Sequence, residues 1–357
     1  MNYYYGNQGG GYNNGQPPNG YQPQNGYQSP YGGYQFDPNQ SEKIKQKKEI
    51  ARVSIATGLA VIGFTVLSFV LALLLHLMPW FTNNYGKNDA FSVCFDAIYS
   101  MIIIGVPFLC AYLFLKKRGN IKELPLGTPK NGTAFILLIF AGLMACLVGS
   151  YLSSMLGNIV EGFFGISFTM PDDGVKLTSP AIILIYVFRT ALIPALIEEF
   201  SVRGVVMQSL RKYGDRFAII MSALVFALMH GNMVQIPFAF VAGIAIGYAV
   251  IATGTMWTGV IIHFINNFIS IMMQVSFDNL PQGKANIMTL AISGGVVLIG
   301  IVCALVYKFR YAHAFKLENK KSSLLSNGEK NTAFIVTVPM VIAIVSMLVE
   351  TVQYIEF

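Results

Sequence analysis

Apolar residues in this chain gather into long runs and do not alternate with polar ones. Nine such segments can be read, at about 53–79, 95–115, 133–156, 180–207, 216–235, 237–254, 256–275, 286–308 and 334–352. Roughly 20 apolar residues carry a helix across ~30 Å of hydrocarbon. The pattern therefore predicts an all-α, polytopic transmembrane helix bundle of about eight to nine spans. The fifth and sixth segments join around Gln235–Pro237, and the sixth and seventh around Thr253–Thr255. Joints this short favour antiparallel neighbours.

Residues 1–40 break the pattern. They are Tyr, Gly, Asn, Gln and Pro without apolar periodicity, and eight tyrosines fall among them. Nothing there can be buried to offset chain entropy, so a disordered cytoplasmic tail acting as a solvated tether is expected. The tail lacks the basic-then-apolar start of a secretion signal, and none is expected. A basic juxtamembrane segment follows at 41–52, with Lys43, Lys45, Lys47, Lys48 and Arg52, and the bundle occupies 53–352.

Composition sharpens this reading. Of 357 residues, 54% are hydrophobic and 11% charged, with a mean hydropathy of +0.55. A soluble domain carries roughly 25% charged residues, so there is too little charge here to coat a water-soluble body. The net charge of +7 does not indicate a nucleic-acid binder, because the basic residues sit at the ends of apolar runs. Cys94, Cys110, Cys146 and Cys303 are scattered, which argues against a disulfide framework.

The basic residues set an orientation. Lys116, Lys117, Arg118, Lys122 and Lys130 follow the second span; Arg211, Lys212 and Arg216 lie between the fourth and fifth; Lys308, Arg310, Lys316, Lys320 and Lys321 follow the eighth. The loop 157–178 carries Glu161, Asp172 and Asp173 against Lys176. With the amino terminus cytoplasmic, every basic cluster falls inside. Nine spans then leave the carboxyl terminus outside.

Charges within spans are expensive and mark function or a partner. The fourth span holds Arg189, Glu198, Glu199 and Arg203, with Pro194 one turn before Glu198. The fifth holds His230, and the seventh holds His263, Asn266 and Asn267. Glu199 and Arg203 are spaced i,i+4 with the acid first, the favourable ion-pair order. Glu198 points roughly 100° away and is free to face another helix. His263 shares a face with Asn267, and Phe226 with His230. Asn266 is expected to face away from Asn267. Arg189 is read as pairing with a carboxylate or lining the outer cavity, Pro194 as kinking its span, and Gly243 and Gly247 as a close helix contact.

A ~1.5 Å rise per residue places His263 ~10 Å, Glu198 and Asn267 ~15 Å and His230 ~20 Å from the cytoplasmic ends of their spans. One site near mid-bilayer is thus possible. A carboxylate in an apolar site suits a general base acting on water, and a histidine with an amide suits a developing oxyanion. Together these would hydrolyse an amide. Alternatively Glu198, His230 and His263 would hold zinc with an open water position, although no HExxH is present.

Three motifs carry a resemblance. EEFSVR at 198–203 fits EExxxR, FALMH at 226–230 fits FxxxH, and HFINN at 263–267 fits HxxxN. In this order on successive apolar segments, they resemble the CPBP intramembrane protease family, which includes type II CAAX prenyl endopeptidases and bacteriocin-processing or immunity proteins. The resemblance covers about 180–275. It implies an intramembrane endopeptidase in which Glu198 activates water, His230 assists, His263 and Asn267 form the oxyanion site, and Glu199, Arg203 and Phe226 support them. It also implies a bacterial plasma-membrane setting and a membrane-associated or lipid-modified peptide substrate, with either a glutamate-only or a zinc mechanism. Two other functions compete: a non-catalytic immunity factor or scaffold, and a proton-coupled transporter. The latter is disfavoured because the two halves show no convincing repeat.

Overall fold

The computed structural model describes residues 39–171, 174–311, 317 and 323–356. The tail read at 1–40 lies outside the described residues except for its last two. Helix α1 (Gln40–His76) begins there, so the basic segment 41–52 forms its first turns. At 37 residues α1 is far longer than a bilayer needs. A short helix α2 (Pro79–Asn84) and the long α3 (Asp89–Lys117) follow. Then come α4 (Gly132–Phe164), a strand β1 (Ser167–Phe168) and the continuous helix α5 (Pro180–Tyr213). The remaining elements are α6 (Asp215–Leu228), α7 (Gln235–Thr253), α8 (Trp257–Asn279), α9 (Gln282–Arg310), α10 (Asn327–Ile335), α11 (Val338–Thr351) and β2 (Ile355–Glu356).

Among the described residues, seven helices are long and apolar enough to cross a membrane: α1, α3, α4, α5, α7, α8 and α9. The pair α10 and α11, bent by 73°, makes an eighth candidate. The fifth apolar segment differs from its sequence reading. It forms only the 14-residue α6, about 21 Å long. The apolar run continues past it, but His230, Gly231 and Asn232 interrupt the helix. Gly231 sits at φ 62°, a backbone region natural to glycine. The Asn232 side chain bonds the His230 carbonyl and Gln235.

The strand pairing fixes a parity. Ser167 pairs with Glu356 and Phe168 with Ile355, so the loop after α4 and the chain end lie on one side. Eight crossings would put them on opposite sides. The pairing is satisfied by seven crossings, or by nine when the bent pair and the short α6 both cross.

Close packing rests on small residues. A Cβ on Gly243 of α7 would lie 2.9 Å from the Ala223 Cβ of α6, so only glycine permits this approach. Below it, Gly247 faces Ile219 at ordinary contact distance. The glycine pair read from the sequence is thus the α6–α7 seam. That seam matters because α6 carries Phe226 and His230 into the site.

Candidate active site

Pro194 has no N–H to give the carbonyl of Thr190 one turn earlier. Helix α5 answers with a π-helical stretch at Phe188–Leu192, followed by a second at Phe200–Met207 that holds Arg203. Such stretches occur often at functional sites. The orphaned Thr190 carbonyl accepts a hydrogen bond from Asn267 Nδ2 of α8 at 3.0 Å. One of the two Asn267 amide hydrogens is therefore committed to the backbone. Asn266 does not face away: its Nδ2 donates to Asn267 Oδ1 at 3.2 Å. The adjacency of two short amides at a helix surface allows this, whatever their nominal 100° separation.

The two adjacent glutamates are treated differently. The Glu199 side chain is 0% exposed and accepts at Oε1 from Arg203 (2.7 Å) and from His263 Nδ1 (3.0 Å). Its Oε2 has no hydrogen-bond partner among the described residues. Arg203 is equally buried; it donates also to the Gly243 carbonyl (3.2 Å), and its guanidinium carbon lies 4.5 Å from the Phe226 ring centre. Glu198, 18% exposed, lines the cavity, and its Oε2 lies 3.9 Å from His263 Nε2. That is too long for a direct hydrogen bond, but a single water can bridge it.

Both histidines have defined tautomers when neutral. His230 Nδ1 lies 2.8 Å from the Phe226 carbonyl, which can only accept, so Nδ1 carries the hydrogen and Nε2 has a lone pair. His263 Nδ1 donates to the Glu199 carboxylate, leaving its Nε2 likewise. Phe226 stands edge-on to both rings, with centroids 4.9 Å from His230 and 5.8 Å from His263. It is the wall that spaces them.

Anchored Nδ1 atoms also occur behind metal-bound histidines. Among the described residues, no group of three or more His, Cys, Asp or Glu side chains is placed to hold a metal ion, and no step below is routed through a metal.

These residues line a cavity of about 500 Å³ between α4, α5, α6, α7 and α8. Arg189 lies outside its wall and pairs with Asp96 of α3 at 3.2 Å, the structural role read for it. Asp96 also accepts from the Tyr85 hydroxyl at 2.8 Å. Burial and this carboxylate push the Tyr85 phenol up to about 12, so it stays a neutral donor.

One residue in the site carried no sequence signal. Gly259 lies one turn before His263, and a Cβ there would sit 2.6 Å from Glu199 Oε2. Gly259→Ala is expected to push the carboxylate off its two donors and turn His263. Cleavage should fall about tenfold or more, with a loss of about 1–3 kcal/mol from overpacking. Peptide cleavage rates and thermal unfolding of the purified variant measure both effects.

The fold and site thus define a polytopic helical membrane protein with a buried carboxylate–histidine centre. Residues 180–269 match the family model described as Rce1-like, Type II CAAX prenyl endopeptidase Rce1-like. The match spans α5 to the middle of α8, the same elements that carry the three motifs, and supports the CPBP resemblance. That family is one of CAAX-type proteases working in membranes. No curated protein and no solved structure matches the chain.

Proposed function

We propose that the chain is an intramembrane endopeptidase in which Glu198 activates water. The observation that carries this reading is the division of labour between neighbouring glutamates. Glu199 is locked by Arg203 and His263, whereas Glu198 borders the cavity with His263 Nε2 3.9 Å away, where a water beside both can bridge them.

A water held between Glu198 Oε2 and the histidines attacks the peptide carbonyl carbon. Glu198 takes its proton as the C–O bond forms. The carbonyl oxygen becomes an oxyanion and needs donors. His263 Nε2 is one donor when both ring nitrogens carry a hydrogen. The second Asn267 amide hydrogen is the other donor, with His230 Nε2 accepting from the water. Glu198 then returns the proton to the leaving nitrogen, the C–N bond breaks, and a carboxylic acid and an amine depart, the acid giving its proton to solvent as it leaves.

Purified protein should cut labelled membrane-associated peptides, and Glu198→Ala and His263→Ala should each abolish this. Cutting by both variants at the parent rate overturns the assignment. The same sample, treated with a chelator and measured for metal, tests the mechanism. Full activity at negligible metal content supports the glutamate-only route, and loss with rescue by one zinc per chain overturns it.

A further inference from the structure

The cavity lining grows more exposed toward one end. Along α4 its lining passes from buried Leu143 and Cys146 to exposed Ser150 and Ser154. Along α8 it passes from buried His263 through Asn266 and Asn267 to exposed Ser270. Along α5 it descends from Tyr186 through Thr190 and Pro194 to Glu198. Past Glu198 that helix is sealed: Val202, Val205, Val206, Met207 and Leu210 are all 0% exposed.

The α4 and α8 gradients point the same way, and along α7 the lining likewise runs from half-buried Gln235 and Phe238 to buried Ala242 and Ile246. The mouth faces the C-terminal end of α4, the loop bearing β1 and the paired chain end; exposed Met170 of that loop is part of the lining. This rim is tied down. Leu177 N–H donates to Asp278 at 2.9 Å, Asn279 donates to the Leu177 carbonyl at 2.8 Å, and Thr169 N–H donates to the Tyr354 carbonyl at 3.0 Å. The basic clusters lie at the opposite end, against single lysines such as Lys176 at the rim: Lys116 and Lys117 close α3, Arg211 and Lys212 close α5, Lys308 and Arg310 close α9, and Lys130 precedes α4.

We infer that the site is loaded from the non-cytoplasmic face, by an extended peptide segment reaching down to Glu198. Basic collars mark the cytoplasmic side, and the mouth is at the other end. The route also has a peptide-like lining. Asn266, Ser270 and Gln274 lie at i+3, i+7 and i+11 from His263 and share one face of α8. They form a polar track roughly 12 Å long, opposite Ser150 and Ser154. An extended chain crossing that length presents a backbone hydrogen-bonding group every few ångströms. The substrate class is therefore an exported or outer-leaflet peptide, not a cytoplasmic carboxyl-terminal tail. The identity of the occupant as a peptide rests on the proposed function; the side of access does not.

The test starts from a chain with Cys94, Cys110, Cys146 and Cys303 replaced by alanine, carrying Ser154→Cys, Ser270→Cys or Lys117→Cys. A membrane-impermeant maleimide should label the first two in intact cells and the third only in inverted vesicles. Labelling of Ser154→Cys and Ser270→Cys only in inverted vesicles, or only by a lipid-soluble maleimide, overturns the inference. Adding Glu198→Gln should leave labelling unchanged while peptide cutting is lost. Persistent cutting in that variant sinks Glu198 as the base, absence of cutting by the parent chain sinks the protease assignment, and either leaves the access route standing.

Discussion

Glu198→Gln is expected to lower kcat for peptide cleavage by about 10²–10⁴-fold, the usual contribution of a positioned general base. The amide keeps the shape and volume of the carboxylate, so the cavity wall is retained. It cannot accept the proton of the attacking water at useful basicity. Among the described residues Glu198 pairs with no arginine, so its charge is not needed to hold the bundle. Folding should survive, and KM should change less than kcat. Glu198→Asp shortens the side chain by one methylene and opens the 3.9 Å gap to His263 further. It should retain activity between parent and Gln variant. Single-turnover cleavage with a labelled peptide, beside an unfolding curve, reads both quantities. A Gln variant that cuts at the parent rate would move the base elsewhere. Glu199 is a poor replacement, because both of its bonds go to Arg203 and His263 and its second oxygen faces Gly259.

Much of this site was legible in the residues because charge is costly in a membrane. With few charged side chains in the apolar runs, Glu198, Glu199, Arg203 and the two histidines stood out, and the i,i+4 rule paired Glu199 with Arg203 correctly. What spacing could not give is which third helix completes the set. That His263 reaches Glu199 with one nitrogen and approaches Glu198 with the other depends on how α5 and α8 pack. The bond from Asn267 to Thr190 was hidden for a related reason. Pro194 announces a free carbonyl, but not the side chain that will satisfy it. The fifth span was misjudged in length because Met229, Met233 and Val234 keep the run apolar through a turn that Gly231 and Asn232 impose. The polar face of α8 beyond Asn267 was readable as a spacing of Ser270 and Gln274, yet it gains meaning only once a cavity is seen beside it.

Arg203→Met should be the most destabilising single change in the site. Both members of the Arg203–Glu199 pair are 0% exposed. Removing one partner of a buried ion pair costs about 3–5 kcal/mol, because the other charge is left uncompensated. Here the loss has further parts. The Gly243 carbonyl loses its donor, and the Phe226 ring loses the guanidinium stacked on it. Arg203→Lys restores the charge but not the fork that reaches Glu199 and Gly243 together, so it should recover only part of the stability. The discriminating variant is the double change Glu199→Gln with Arg203→Met. If the cost comes from a stranded carboxylate, the double variant should be more stable than Arg203→Met alone, with a coupling of about 1 kcal/mol or more. Activity should not return with stability, since His263 would then lose the charged partner at Nδ1 that fixes its ring. Thermal unfolding in detergent and cleavage rates across the four-member cycle separate the two effects. Additive losses would show that Glu199 is held by something other than Arg203, and the division of labour between the two glutamates would need another cause.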